Sequence, residues 1–171
     1  WGRHKNIVNL IKAFEIAKGY GIPHLLVLGG RGSKNDMDYY NKVCKLINES
    51  RYKADIVVLG YIPEYDLPSF YYHCDVFCFL SLYEGFGLPV LEAMSCGAPV
   101  VVSDKSSLPE IVGDAGIMVD PNDVFQISNS ILKVIGDSAL RKELVSKGLK
   151  QVQHFDWENS AEKFIKIVNE I

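Results

Sequence analysis

The sequence predicts a doubly wound α/β domain, in which a parallel sheet is covered by helices on both faces. Short apolar runs alternate along the chain with longer amphipathic stretches of helical periodicity. The apolar runs lack the polar alternation of a half-exposed sheet, which is typical of parallel strands buried on both faces. With 171 residues, the chain is long enough for one domain with a substantial core.

The apolar runs and the periodic stretches give the predicted order of strands and helices. The predicted strands cover residues 24–28, 55–59, 76–80, 99–102 and 116–119. The predicted helices cover residues 6–20, 37–48, 67–73, 88–94, 124–135, 139–151 and 158–171. Pro89 falls in the first turn of its helix, where proline is tolerated, and Asp123 is the predicted N-cap of the helix after it.

The chain opens unusually for this architecture. The first predicted helix begins almost at residue 1, with no strand before it, whereas a doubly wound sheet normally opens with a strand. We therefore expect a first strand and an upstream domain to precede residue 1. On this interpretation residues 1–171 form one domain, and residues 156–171 form its last helix.

Composition argues against several classes of function. The net charge is −3, without a long run of one sign, which argues against nucleic acid as a partner bound by bulk electrostatics. No stretch reaches the ~18 apolar residues of a membrane span, and residues 1–5 lack the layout of a signal peptide. We expect a cytoplasmic location, and leave open peripheral membrane attachment of the full-length protein.

The cysteines do not predict a metal site. Cys74 and Cys78 have the spacing of a metal pair, but no Cys or His pair nearby completes a zinc set. All the cysteines lie within apolar or helical segments, so we expect buried free thiols. These cysteines are Cys44, Cys74, Cys78 and Cys96.

The most informative loop lies where ligands bind an open parallel sheet, beyond the carboxyl ends of the strands. It contains Glu84, a Gly-Phe-Gly turn at residues 85–87, and Glu92. Glycines allow backbone N–H groups to approach a ligand closely. The helix beginning at Leu88 directs its positive end to the same place, and the two features together are suited to binding a diphosphate. Two carboxylates disfavour a bare anion and accept hydrogen bonds from hydroxyl groups, so we expect a ligand with both phosphate and sugar.

Other segments at this edge give weaker signals. Gly30 and Arg31 lie in a loop that resembles a phosphate loop, residues 29–33, although a tight turn explains its glycines equally well. Without the full dinucleotide fingerprint, that loop does not support an NAD site. Arg3 and Lys5 precede a helix whose amino end favours anions, so they are explained either by a nearby phosphate or by a solvated basic terminus.

Several blocks of the sequence together closely resemble the signature of family 4 glycosyltransferases. The central block, residues 83–94, reads YEGFGLPVLEAM, and seven residues separate its two glutamates. That spacing is common by chance, but not beside the glycine turn and the neighbouring blocks. Those blocks are residues 4–7, 96–101, 106–116 and 155–158. The resemblance covers essentially the whole chain, but only the second half of such an enzyme.

The resemblance implies a GT-B fold, in which two Rossmann-like domains enclose a cleft and this chain is the C-terminal, donor-binding domain. It implies retaining transfer of a hexose from a nucleotide diphosphate sugar to a glycan or lipid-linked acceptor, without a metal or other cofactor. The block at residues 106–110, Ser-Ser-Leu-Pro-Glu, favours members with GDP-mannose-like donors. We expect the isolated chain to bind the donor without transferring it, and the last helix to pack across to the other domain.

Carried over by position, the resemblance assigns a role to each candidate residue. Glu84, Lys5 and Arg3 would be catalytic: Glu84 would accept hydrogen bonds from the transferred sugar, and the two cations would hold the diphosphate. The spacing at residues 2–5 is compressed relative to many members. Glu92 would hold the ribose. The base would contact Tyr61 and Ile62, and the phosphates and sugar would contact the backbone of Gly85, Phe86, Gly87 and Leu88.

Two other functions use the same phosphate geometry. One is a GT-B phosphorylase or an epimerase, since a fold does not fix a function. A phosphorylase would differ from a glycosyltransferase in binding free phosphate, and an epimerase would differ in the reaction that it catalyses. A non-catalytic sugar-nucleotide-binding module would bind the donor without any transfer. A response-regulator-like domain is disfavoured, because the early strands lack a paired set of carboxylates at their ends.

Overall fold

The computed structural model, which describes residues 1–32 and 36–170, contains the predicted strands and helices in the predicted order, together with a short helix, Leu108–Val112, between the last two strands. Three short 3₁₀ turns, Arg3–Lys5, Lys53–Asp55 and Val152–His154, accompany them. The strands are β1 (Leu26–Gly29), β2 (Ile56–Gly60), β3 (Phe77–Phe79), β4 (Val100–Ser103) and β5 (Gly116–Val119). The helices are α1 (Ile7–Gly19), α2 (Met37–Glu49), α3 (Leu67–His73), α4 (Leu88–Ser95), α5 (Leu108–Val112), α6 (Val124–Gly136), α7 (Ser138–Gln151) and α8 (Trp157–Asn169).

Every described strand pair is parallel, as predicted, but the strands form two ladders rather than one. β1 pairs with β2, and β4 lies between β3 and β5. The first residues bridge the carboxyl ends of the two ladders: the Trp1 indole N–H donates to the Gly29 carbonyl at 2.6 Å, and the Leu82 amide donates to the His4 carbonyl at 2.7 Å. The expected strand before residue 1 stays a prediction.

β4 is the centre of the larger ladder and is buried throughout. Val100 and Val102 pack with residues of α4 and α5, whereas Val101 packs with residues of α6. Alternate side chains of a strand point to opposite faces, so helices cover this ladder on both sides. The loops at its carboxyl edge are therefore attached to a close-packed core.

The expectation that both faces of every strand are buried is wrong for β1 and β2. Helices α1 and α2 cover Leu28 and Ile56 on one side of this ladder. Val27, which points to the opposite side, is 46% exposed, and Val58, although on the same side as Leu28 and Ile56, is also 46% exposed. The physical reason for the exposure of Val27 is that α3, which follows β2 in the chain, packs against α4 rather than over β2.

Aspartate side chains cap the amino ends of α6 and α7. The Asp123 carboxylate accepts a hydrogen bond from the Gln126 amide at 2.9 Å, which confirms the predicted N-cap of α6. Asp137 caps α7 in the same way, which the sequence reasoning missed.

Apolar side chains of α8 are exposed, including Phe164 and Ile165, so its packing onto another domain stays a prediction. No helix in the described ranges is long and apolar enough to cross a bilayer.

Gly116, at the start of β5, is expected to be essential to packing against β4. A Cβ there would lie 2.5 Å from Val100 Cγ2 and 3.0 Å from the Val100 carbonyl oxygen. Because this contact is with backbone as well as side chain, Gly116→Ala should destabilise the domain by about 1–3 kcal/mol. Urea unfolding measures this, with Gly136→Ala as the control, since a Cβ at Gly136 meets nothing within 4 Å. Equal unfolding midpoints for the two variants would contradict the packing argument.

Candidate functional site

The loop between β3 and α4 brings together two of the predicted catalytic residues. Lys5 Nζ lies 2.6 Å from Glu84 Oε1 and 4.8 Å from the centre of the Phe79 ring. The Glu84 side chain is only 15% exposed, whereas the Lys5 side chain is 35% exposed. Lys5 ends the 3₁₀ turn that leads into α1, so two segments far apart in sequence meet here. The result is a charged pair at the carboxyl edge of the sheet, with its cation still open to solvent.

The same loop ends at the amino end of α4. Gly87 precedes this helix with φ of 116°, a left-handed conformation that glycine adopts readily. A Cβ at Gly87 would also lie 2.9 Å from Leu108 Cδ2. Since glycine has no side chain, no capping group covers the helix end, and the positive end of the helix dipole faces the loop. Phe86 and Leu88, on either side of Gly87, are exposed. The arrangement is suited to binding an anion.

Glu92 lies on α4 and is tied to a tyrosine that the sequence reasoning missed. The Tyr71 hydroxyl donates to Glu92 Oε2 at 3.1 Å. Tyr71 is buried, with its ring edge-on to Phe77 at a centroid distance of 5.2 Å. Burial first, and then the charge of Glu92, raise the pKa of the Tyr71 phenol, so the hydroxyl stays protonated and acts as a donor. No sequence signal separates Tyr71 from its aromatic neighbours Phe70 and Tyr72.

Arg3 lies apart from the Lys5–Glu84 pair. It lines a cavity of about 230 Å³ together with Asp38, Tyr39 and Lys42. Successive residues of a 3₁₀ turn are rotated by about 120°, so side chains two positions apart project in different directions. The structure therefore does not bring Arg3 to Glu84, and a catalytic role for Arg3 stays a prediction.

The predicted base and phosphate loops lie side by side. The Arg31 guanidinium lies 5.2 Å from the centre of the Tyr61 ring. The Ile62 side chain packs over Gly29, where a Cβ would lie 2.8 Å from Ile62 Cδ1. The Gly30 amide donates to the Gly60 carbonyl at 2.6 Å, which continues the pairing of β1 with β2, so this N–H is already engaged. Residue Ser33 of the predicted phosphate loop lies outside the described residues.

The cysteines are free thiols, as expected, but all four are partly exposed rather than fully buried. Burial raises the pKa of the Cys74 thiol to about 11 and that of the Cys78 thiol to about 12, so both stay protonated at neutral pH. Within residues 1–32 and 36–170, no three His, Cys, Asp or Glu side chains are grouped so that they could hold a metal ion.

The architecture and the position of the site define the class. A parallel α/β domain of this kind, with its charged loop at the carboxyl edge, is the Rossmann-like C-terminal half of a GT-B fold. The model of the glycosyl transferases group 1 family matches residues 2–151, and the chain belongs to this family.

The relatives include O-antigen chain mannosyltransferase B of Escherichia coli, which is 43% identical over 157 residues. The alignment covers 91% of this chain and 40% of that protein, so the chain spans well under half of this relative's length.

Two of the solved structures that share the fold illustrate the likeness. One is the C-terminal domain of a glycosyl transferase group 1 family protein (LpcC) from Francisella tularensis, with a TM-score of 0.81 and 26% identity, covering 91% of this chain and 81% of that one. The other is Anabaena Alr3699/HepE in complex with UDP-glucose, with a TM-score of 0.88, 23% identity, and coverage of 100% of this chain and 47% of that one. The second likeness shows the fold alone.

Proposed function

We propose that this chain is the donor-binding domain of a retaining mannosyltransferase. Its donor is a nucleotide diphosphate mannose, and GDP-mannose is the donor that we expect it to prefer. The observation that carries the proposal is the Lys5–Glu84 pair, which lies beside a glycine turn at the amino end of α4. The mannosyltransferase named among the relatives acts on an O-antigen chain, which supports mannose as the sugar and a growing glycan as the acceptor.

The charges explain why the site takes a sugar diphosphate. A diphosphate that approached Glu84 alone would be repelled by a partly desolvated carboxylate. Lys5 lies 2.6 Å from that carboxylate and remains 35% exposed, so it compensates Glu84 and still presents charge to a ligand. In our proposal the diphosphate lies against Lys5 and the amino end of α4. Glu84 then accepts hydrogen bonds from the sugar hydroxyls, and Glu92 accepts them from the ribose.

Transfer would follow from stabilising the leaving group. The bond between the anomeric carbon and the diphosphate oxygen breaks, and the acceptor hydroxyl oxygen bonds to the same face of that carbon. The acceptor proton passes to the departing diphosphate. Preorganised positive charge where the negative charge develops is then the main catalytic contribution, and Lys5 with the α4 dipole supplies it. That no metal is required stays a prediction.

The full-length protein would supply the rest of the site. The acceptor, a glycan or a lipid-linked glycan, would be bound by an N-terminal domain across the cleft. The chain by itself would therefore bind donor without transfer. The exposed apolar side of α8, which includes Phe164 and Ile165, would pack on that domain.

Thermal unfolding of this chain with a panel of nucleotide sugars tests the proposal. GDP-mannose at 100 times its Kd should stabilise the domain by ~2.7 kcal/mol, equivalent to about 5–10 °C in Tm for a domain of this size. UDP-glucose and ADP-glucose at the same concentration should give smaller shifts. A shift with inorganic phosphate as large as that with GDP-mannose would favour a phosphorylase. No shift with any nucleotide sugar would exclude a donor-binding domain.

A further inference from the structure

Two serine hydroxyls tether the loop that carries Glu84. Ser106 Oγ donates to the Glu84 carbonyl at 2.6 Å and accepts from the Glu84 amide at 3.2 Å. Ser107 Oγ donates to the Phe86 carbonyl at 2.6 Å and also lies 3.2 Å from the Glu84 carbonyl oxygen. Both serines belong to the segment between β4 and α5, so they connect the loop to the buried centre of the larger ladder.

Ser106 has an unfavourable backbone conformation, and Ser107 does not make the hydrogen bond that is usual at its position. Ser106 has φ of 59°, a left-handed conformation in which a residue with a Cβ is disfavoured and glycine is preferred. Ser107 precedes α5 at the position where a serine usually caps the first turn, yet its hydroxyl makes no capping hydrogen bond. Departures of this kind persist where surrounding structure requires them, and they cluster at functional sites. Here the requirement is the tether to residues 84–86.

The tether fixes the two features on which the site depends. The Glu84 amide and carbonyl are both held, so its side chain leaves the backbone in the direction of Lys5. The Phe86 carbonyl is held one residue before Gly87, the N-cap of α4. The loop itself contains neither helix nor strand. Its shape therefore depends on these hydrogen bonds to a rigid neighbour.

We infer that Ser106 and Ser107 are positioning residues that hold the Glu84 loop in its donor-binding shape before the donor arrives. The inference rests on the proposed function, because it concerns the same site. Ser106 acts through Glu84 and so on the sugar. Ser107 acts mainly through Phe86, its shorter contact, and the start of α4, and so on the diphosphate.

Paired substitutions at Ser106 separate the hydroxyl from the backbone conformation. Ser106→Ala removes the hydroxyl and keeps the disfavoured φ, whereas Ser106→Gly removes the hydroxyl and relieves it. Calorimetry on this chain should show that both variants bind GDP-mannose about three- to tenfold more weakly, the loss of one ordinary hydrogen bond. Binding of GDP, which lacks the sugar, should change less. Ser107→Ala should weaken the binding of GDP-mannose and of GDP to the same extent. Ser146 is an exposed serine on α7, and Ser146→Ala should change neither affinity.

The outcomes distinguish this inference from the proposed function. If Ser106→Gly binds GDP-mannose as wild type does while Ser106→Ala does not, only the backbone conformation matters and the positioning role is wrong. Unchanged binding by both variants would overturn it as well. If the wild-type chain itself fails to bind GDP-mannose or GDP, the proposed function fails first. Melting temperatures of all variants show whether a loss of affinity merely reflects unfolding.

Discussion

Lys5→Ala is expected to lower the turnover of the full-length enzyme by about 100- to 1000-fold, the usual effect of removing one preorganised group that stabilises developing negative charge. Two effects act in the same direction. The diphosphate loses its cation, and the carboxylate of Glu84, 2.6 Å from Lys5 Nζ, loses its partner and repels the leaving group. Steady-state transfer from GDP-mannose measures the loss, and calorimetry on this chain measures the accompanying loss of donor affinity.

Matched variants make this test specific. Lys5→Met removes the charge but keeps an unbranched side chain beside the Phe79 ring, so it should lose turnover as Lys5→Ala does. Lys12→Ala removes an exposed lysine on α1 that lines a different cavity, with Glu15 and Arg51, and should behave as wild type. Near-normal turnover of Lys5→Ala would count against the proposed mechanism.

Local periodicity was sufficient to predict where the elements lie. The ranges of α3 and β5 coincide with those predicted, because a short apolar run or a periodic stretch is a property of neighbouring residues. The failure at β1 and β2 has a different origin. Whether Val27 is covered depends on where α3 packs, and nothing within β1 encodes that.

The candidate site was accessible from sequence only in part. The glycine turn and the start of α4 follow from local rules for phosphate binding. That Lys5 would lie near Glu84 was implied by the resemblance, not by spacing, because they are 79 positions apart in the sequence. Arg3 carries the same charge as Lys5 only two positions earlier, and the 3₁₀ turn directs it elsewhere.

The hydroxyl groups around the site were missed for a physical reason. Ser107 precedes a helix and has the sequence pattern of an N-cap, yet its hydroxyl is directed to Phe86. Tyr71 has the pattern of a core aromatic residue, yet its hydroxyl holds Glu92. A side-chain hydroxyl is small enough to serve packing and hydrogen bonding together, so its partner is set by tertiary structure.

Glu92→Gln is expected to weaken GDP binding to this chain by about tenfold or more, because hydrogen bonds from ribose hydroxyls to a charged acceptor are worth ~1.5–3 kcal/mol. The informative comparison is with 2′,3′-dideoxy-GDP, which lacks those hydroxyls. The wild-type chain should prefer GDP strongly, and the variant should lose most of that preference. The control Glu162→Gln, at an exposed glutamate on α8, should keep it.

Tyr71→Phe extends the same test to the group that orients Glu92. It keeps the ring contact with Phe77 but removes the hydroxyl, 3.1 Å from Glu92 Oε2. The carboxylate then loses its fixed direction but keeps its charge, so the preference for GDP should fall by less than in Glu92→Gln. If Glu92→Gln retained the full wild-type preference, the ribose would lie elsewhere, and the hydrogen bond from Tyr71 would be a feature of packing alone.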